Sequence, residues 1–224
     1  MPPLPFPPLN GWLGFAVRPR ESRTLPWSPD HPHATVALIE PTGWDEVSEG
    51  TAFFATGSGE PLRLVYSELS RIPYGCDDRP REMVAFTGPD EPAEGIYWVS
   101  PDPGASALPI AGAGPTWAIG GMVFEVETKG DFAGISRLRE GDRVVWKADW
   151  EKGVMAGVDR TATDLANPFD HAVPRPVAAW GLPSGDAVIV VQTIGYEGVT
   201  WDVLHRSGKG LTSAGKQYVF VCSV

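Results

Sequence analysis

Residues 122–127 read Met-Val-Phe-Glu-Val-Glu, and their alternation decides the fold class. In an extended chain Met122, Phe124 and Val126 fall on one side and Glu125 and Glu127 on the other. This is the period-2 pattern of a strand with one buried face. Similar short segments recur on both sides of it. Residues 187–191 (AVIVV) form a continuous apolar run that suits a buried strand, and residues 217–222 (QYVFVC) repeat the theme near the end of the chain. Residues 12–17, 34–39, 51–55, 83–86, 95–99, 143–146 and 199–204 are further strand candidates.

Breakers set the length of these segments. Glycine (26) and proline (23) are spread along the whole chain, and the longest stretches free of both, residues 62–72 and 142–152, span only 11 residues each. A stable helix asks for about that much uninterrupted chain, whereas a strand needs about 5 or 6 residues. The expectation is an all-β fold of two similar-sized β-barrel or β-sandwich domains, with at most a few short helices. Leu62, Val65, Leu69 and Ile72 follow the spacing of one helix face, so residues 62–72 are the main helix expectation. Residues 158–167 are a second, with Thr161 or Thr163 as the cap.

A Pro-, Gly-, Ala- and Ser-rich segment, residues 101–115, divides the chain near its middle. The sequence is therefore parsed as an acidic N-terminal domain over 1–105 that includes a proline-rich arm (1–9), a linker over 106–115, and a C-terminal domain over 116–224. Residues 1–112 carry 7 Arg, no Lys and 15 acidic residues, net −8, and the remainder is net −2. Trp12 and Trp117, Trp44 and Trp146, and the segments 94–98 (EGIYW) and 197–201 (EGVTW) repeat at offsets of 102 to 105 residues. That spacing admits a tandem duplication of one β-domain, or a four-bladed arrangement with half that period.

Composition excludes several functions. A net charge of −10 with scattered Lys and Arg lacks the basic stripe through which proteins neutralise nucleic-acid phosphates. No apolar run reaches the roughly 18 residues of a membrane helix. The opening MPPLPFPPLNGW has no basic start and is interrupted by prolines, so no leader is read there and a cytoplasmic location is expected. Its P-x-x-P spacings favour polyproline II and could dock to a partner, or pack on their own domain. No phosphate-binding glycine loop is present, so no cofactor is expected.

The site candidates are sparse. His31 and His33 flank a proline, and with only Glu40 beyond them they do not complete a metal site. Asp170-His171 lies in a proline-rich stretch. Cys76 neighbours two aspartates that suppress the thiolate and two arginines that favour it, and Cys222 lies far away in the sequence. Ser184, in Gly181-Leu-Pro-Ser-Gly185, follows His33 and Asp77 or Asp78 in chain order. Across two barrel-sized halves this order resembles chymotrypsin-like serine proteases. The resemblance implies Ser184 as nucleophile, His33 as base and Asp78 as the orienting acid. The sequence departs from the family at Leu182, where a glycine belongs, and at Pro183, which offers no N–H to an oxyanion. A plain Pro-Ser-Gly-Asp turn is the alternative.

Nine tryptophans are many for this length. Trp12, Trp98 and Trp201 sit in apolar runs and are expected in the core. Trp27, Trp44 and Trp150 stand beside Pro, Asp or Glu and are the expected ligand-binding surface. Trp146 and Trp150 should share one face of a strand. The leading expectation is a non-enzymatic binding or assembly protein that engages a protein or carbohydrate through surface aromatics. The alternatives are a serine hydrolase using Ser184, His33 and Asp78, and a structural subunit of a larger assembly, such as a homo-oligomer, a phage particle or a secretion system.

Overall fold

The computed structural model describes residues 9–17, 35–39, 44, 47–73, 80–88, 92–93, 95–129, 133–151, 173–194 and 198–220. Among these residues the fold is all-β, with no α-helix. The chain divides into two compact units, Met1–Ala107 and Leu108–Val224.

The first unit contains β1 (Trp12–Val17), β2 (Thr35–Ile39), β3 (Ala52–Thr56), β4 (Leu62–Pro73), β5 (Pro80–Thr87) and β6 (Ile96–Ser100), and ends at the two-residue β7 (Ser106–Ala107). The first six close into an antiparallel barrel in the order β1-β2-β5-β4-β3-β6. Closure comes from β1 pairing with both β2 and β6, with Trp12 opposite Val99 and Phe15 opposite Ala37. Alternate residues point inward. Trp12, Val36, Leu38, Phe53, Leu64, Val84, Phe86 and Val99 fill the interior together with Tyr66 and Tyr97.

The segment expected to be helical, residues 62–72, is instead the long strand β4. It pairs with β3 on one side and β5 on the other. A bulge between Tyr66 and Glu68 moves the register by one, so that Leu69 stands opposite Val84. The expected helix face mixes the two faces of this strand: Leu62 packs on the core with Leu64 and Tyr66, and Val65 falls on the other face. The second helix expectation, 158–167, lies outside the described residues.

The second unit contains β8 (Ile110–Ala113), β9 (Thr116–Ile119), β10 (Met122–Lys129), β11 (Ala133–Glu140), β12 (Arg143–Glu151), β13 (Arg175–Gly181), β14 (Ala187–Ile194), β15 (Gly198–Ser207) and β16 (Gly210–Phe220). β8 through β12 form one antiparallel meander and β13 through β16 another. Their facing sides share a core of Ile119, Phe124, Leu138, Trp150, Ile189, Val191 and Leu204. The apolar run of β14 is buried on both faces: Val188, Ile189, Val190 and Val191 are all fully inaccessible. That explains why it carries no alternation.

The unit boundary falls inside the segment read as a linker, and β8 occupies part of that segment. The two units differ in topology, one a closed barrel and the other a pair of meanders. The tryptophan offsets therefore do not correspond to a repeated strand order.

Candidate functional site

Trp12, Trp98 and Trp201 are buried as expected. Two of the three expected surface tryptophans are buried as well, and this corrects their assignment to a ligand-binding surface. Trp150 is 6% exposed, and Trp44 is fully enclosed. Trp27, His33 and Asp78 lie outside the described residues, as do Asp77, His31, His171, Cys76 and Cys222.

Trp150 is buried because β12 alternates. Its acidic neighbour Asp149 falls on the opposite, exposed face of the strand from the indole. Trp150 pairs with Gly134 across the sheet, and a Cβ on Gly134 would come within 2.3 Å of the Trp150 ring. The glycine is what gives the indole its room. Trp146 shares the inward face, packing on the same core.

Trp44 is buried for a different reason. It lies on no strand; it belongs to the connection between β2 and β3, where its carbonyl accepts a hydrogen bond from Val47 N–H at 3.0 Å. From there its ring enters the barrel. It meets Trp12 at a centroid distance of 4.7 Å, Phe53 at 5.1 Å, Phe86 at 5.4 Å and Tyr66 at 5.6 Å. The Nε1–H groups of Trp12 and Trp44 are both buried without a hydrogen-bond partner. An unpaired buried N–H costs about 1–3 kcal/mol. Burying a ring of roughly 150–250 Å² at about 25 cal/mol per Å² is worth about 4–6 kcal/mol, so packing wins. Trp201 shows the satisfied alternative, donating Nε1–H to Gln192 Oε1 at 3.0 Å.

Accessible aromatic surface lies in the second unit at positions the sequence reading did not choose. Trp117, Phe124, Leu138 and Trp146 occupy one cross-strand row over β9 to β12. Phe124 is fully buried, and the rings of Trp117 and Trp146 each lie 5.8 Å from it. Both tryptophans are only half-buried, and with Ile110, Val145 and Leu211 they border the core. The opposite face of this sheet is charged. Arg137 pairs with Glu127, and Arg139 pairs with Glu125 at 3.4 Å. The hydrogen bond and positive charge of Arg137 hold the Glu127 carboxyl below the usual range. At the β11–β12 turn, Glu140 accepts from Arg206 of β15 and from Arg143, and these bonds lower its pKa in the same way. In the barrel, burial raises the pKa of Tyr97, whose hydroxyl donates to Ala93 O at 2.7 Å.

Ser184 is an exposed turn residue. Leu182 N–H donates to Asp186 O at 2.8 Å, Gly185 N–H to Leu182 O at 2.9 Å, and Asp186 N–H to Ser184 Oγ at 3.4 Å. These bonds, with Gly185 at φ +83°, define the β13–β14 hairpin. They also spend the N–H of Leu182, which stands where the family's oxyanion glycine belongs. His205 lies close by, with Nε2 3.0 Å from Asp186 Oδ2. No hydrogen bond joins Ser184 to His205, and the carboxylate takes the nitrogen that a serine's base would need free. The Asp186–His205 pair was not legible in the sequence, because only the β14–β15 hairpin brings residues 19 apart together.

Among the described residues no group of three or more His, Cys, Asp or Glu side chains could hold a metal ion, and no helix is long and apolar enough to cross a membrane. Compared with known protein families, curated proteins and solved structures, the chain matches none of them.

Proposed function

We propose that this chain is a non-enzymatic binding or assembly protein that engages a partner protein through the aromatic border of its second unit. The observation that carries this reading is the half-buried pair Trp117 and Trp146, set on either side of the fully buried Phe124. Aromatic rings held rigid by a packed neighbour present a large contact area at little further entropic cost, which is the usual character of interface anchors. A protein partner is favoured over a carbohydrate by the surroundings. The row supplies Gly112 and Leu138 beside the rings, and a sugar site calls for several convergent polar groups.

The test is affinity capture with the full chain, comparing wild type with the Trp117→Ser/Trp146→Ser double variant, alongside a glycan array and sedimentation analysis. A partner retained by wild type and lost by a folded double variant supports the reading, as does self-association abolished by the same change. Glycan binding that depends on the two rings would replace the protein partner with a carbohydrate. Binding indifferent to both rings would end the proposal.

A further inference from the structure

We infer that the exposed edge of β8 is a self-association site, at which two copies of this chain pair β8 with β8 in an antiparallel, two-fold symmetric register centred on Ala111. The inference rests on the reading of Trp117 as an interface ring, and it names the partner: a second copy, seated beside that ring.

The backbone carries the first part of the argument. β8 ends its sheet and pairs with β9 alone, and Ala111, Gly112 and Ala113 are exposed. The direction of its polar groups follows from the neighbouring ladder. On the other side of β9, Val126 N–H donates to Pro115 O at 2.8 Å. Antiparallel bonding alternates, so Trp117 turns its N–H and C=O towards Phe124, while Thr116 and Ala118 turn theirs towards Ala113 and Ala111. Ile110 and Gly112 are therefore the residues whose N–H and C=O point out of the sheet.

This edge is its own complement. In the register centred on Ala111, Ile110 of each copy stands opposite Gly112 of the other, and every outward N–H and C=O of both residues is paired across the axis. A shift by two residues in either direction leaves part of them unpaired. The side chains agree with the backbone. Gly112 pairs with Trp117 and is a gap this chain cannot fill itself, since its φ is +130° and a Cβ there would lie 2.4 Å from Thr116 O. Ile110 lies on the same face as that gap and borders the core. Pairing sets the second copy's Ile110 against Gly112, next to the Trp117 ring.

Self-complementarity favours a second copy over an unrelated strand, and charge permits it. A chain of net charge −10 repels its own copies, yet residues 103–124 carry no charged side chain, the longest such run in the sequence. Like charges therefore do not meet at the axis. Pro109, which has no N–H to give, and the Gly114-Pro115 turn bound the pairing on either side, so the product is a closed dimer. Its small contact makes it weak, with a dissociation constant above about 10 μM.

Sedimentation equilibrium of the full chain, taken up to about 1 mM, should fit a monomer–dimer equilibrium with nothing larger. Ala111→Lys places two like charges opposite each other and should weaken the dimer about fivefold or more. Trp117→Ser should weaken it as well. Ala111→Cys, made together with Cys76→Ser and Cys222→Ser, should form a disulfide-linked dimer on mild oxidation, because facing residues at such an axis stand about 4.5 Å apart. Ala113→Cys, exposed on the same strand, should not. A monomer throughout the range, a dimer indifferent to Ala111→Lys, cross-linking as ready at 113 as at 111, or open-ended growth would overturn the inference. A chain that stays monomeric yet captures another protein through Trp117 and Trp146 would end the self-pairing and keep the reading above; a dimer indifferent to both rings would end both.

Discussion

Trp150 and Gly134 make one packing unit, and substitutions at either should register on the other. Trp150→Ala would leave a ring-sized void and should cost about 3–5 kcal/mol in urea unfolding. Gly134→Ala would place a methyl 2.3 Å from the indole and 2.4 Å from Glu127 O, and should cost about 1–3 kcal/mol. Combined, the two should cost less than their sum, because the indole half of the clash has gone; strict additivity would refute the coupling. At the β13–β14 turn, Ser184→Ala should shift stability by under about 0.5 kcal/mol, whereas Gly185→Ala should cost about 1–2 kcal/mol for its left-handed backbone. A large loss at Ser184 would contradict its role as a turn residue. Trp150 also shows how burial can be misread at this scale. Acidic residues on both sides suggest exposure only if alternation is ignored. Trp44 offered no such signal, since a side chain reaching into a core from a connection follows no period.

The charge network between β11, β12 and β15 gives an element-scale prediction with a sign. Arg206 and Arg143 hold the Glu140 pKa below its unfolded value. Its contribution to stability is therefore complete above the ordinary glutamate range and is lost as pH falls through the lowered folded value. Glu140→Gln should unfold at lower urea than wild type at neutral pH, and the gap should close on acidification below about pH 4.5. A gap that stays constant or widens in acid would contradict it. Which elements were legible follows similar physics. β10, with apolar and acidic residues alternating, and β14, continuously apolar, announced themselves as strands. β13 did not, because Pro176 argues against a strand interior; the structure places that proline at a bulge. β8, with the sequence IAGA, is too short and small-sided to stand out from a linker. β11 carries arginines on its outer face and a glycine that its pattern alone does not explain. The half-buried tryptophans were missed because exposure at a core's border depends on where two sheets stop overlapping, which no local pattern encodes.

Across the whole molecule, the two hydrophobic cores share no residue. Trp44→Ala and Trp150→Ala should accordingly add within about 0.5 kcal/mol when combined, and a larger deviation would show the two cores to be energetically linked. The units also differ in how they end their sheets. The barrel has no terminal strand, since β1 and β6 join each other. The open sheets end at the two-residue β7 and at β8, β12 and β16, and charges on the last two, such as Lys147, Asp149 and Lys216, guard them. β8 carries only isoleucine, alanine and glycine. A closed wall offers foreign chains no row of free amides to copy, so runaway self-templating under stress should begin at β8, and a lysine in place of Ala111 should delay the onset of fibril-dye fluorescence.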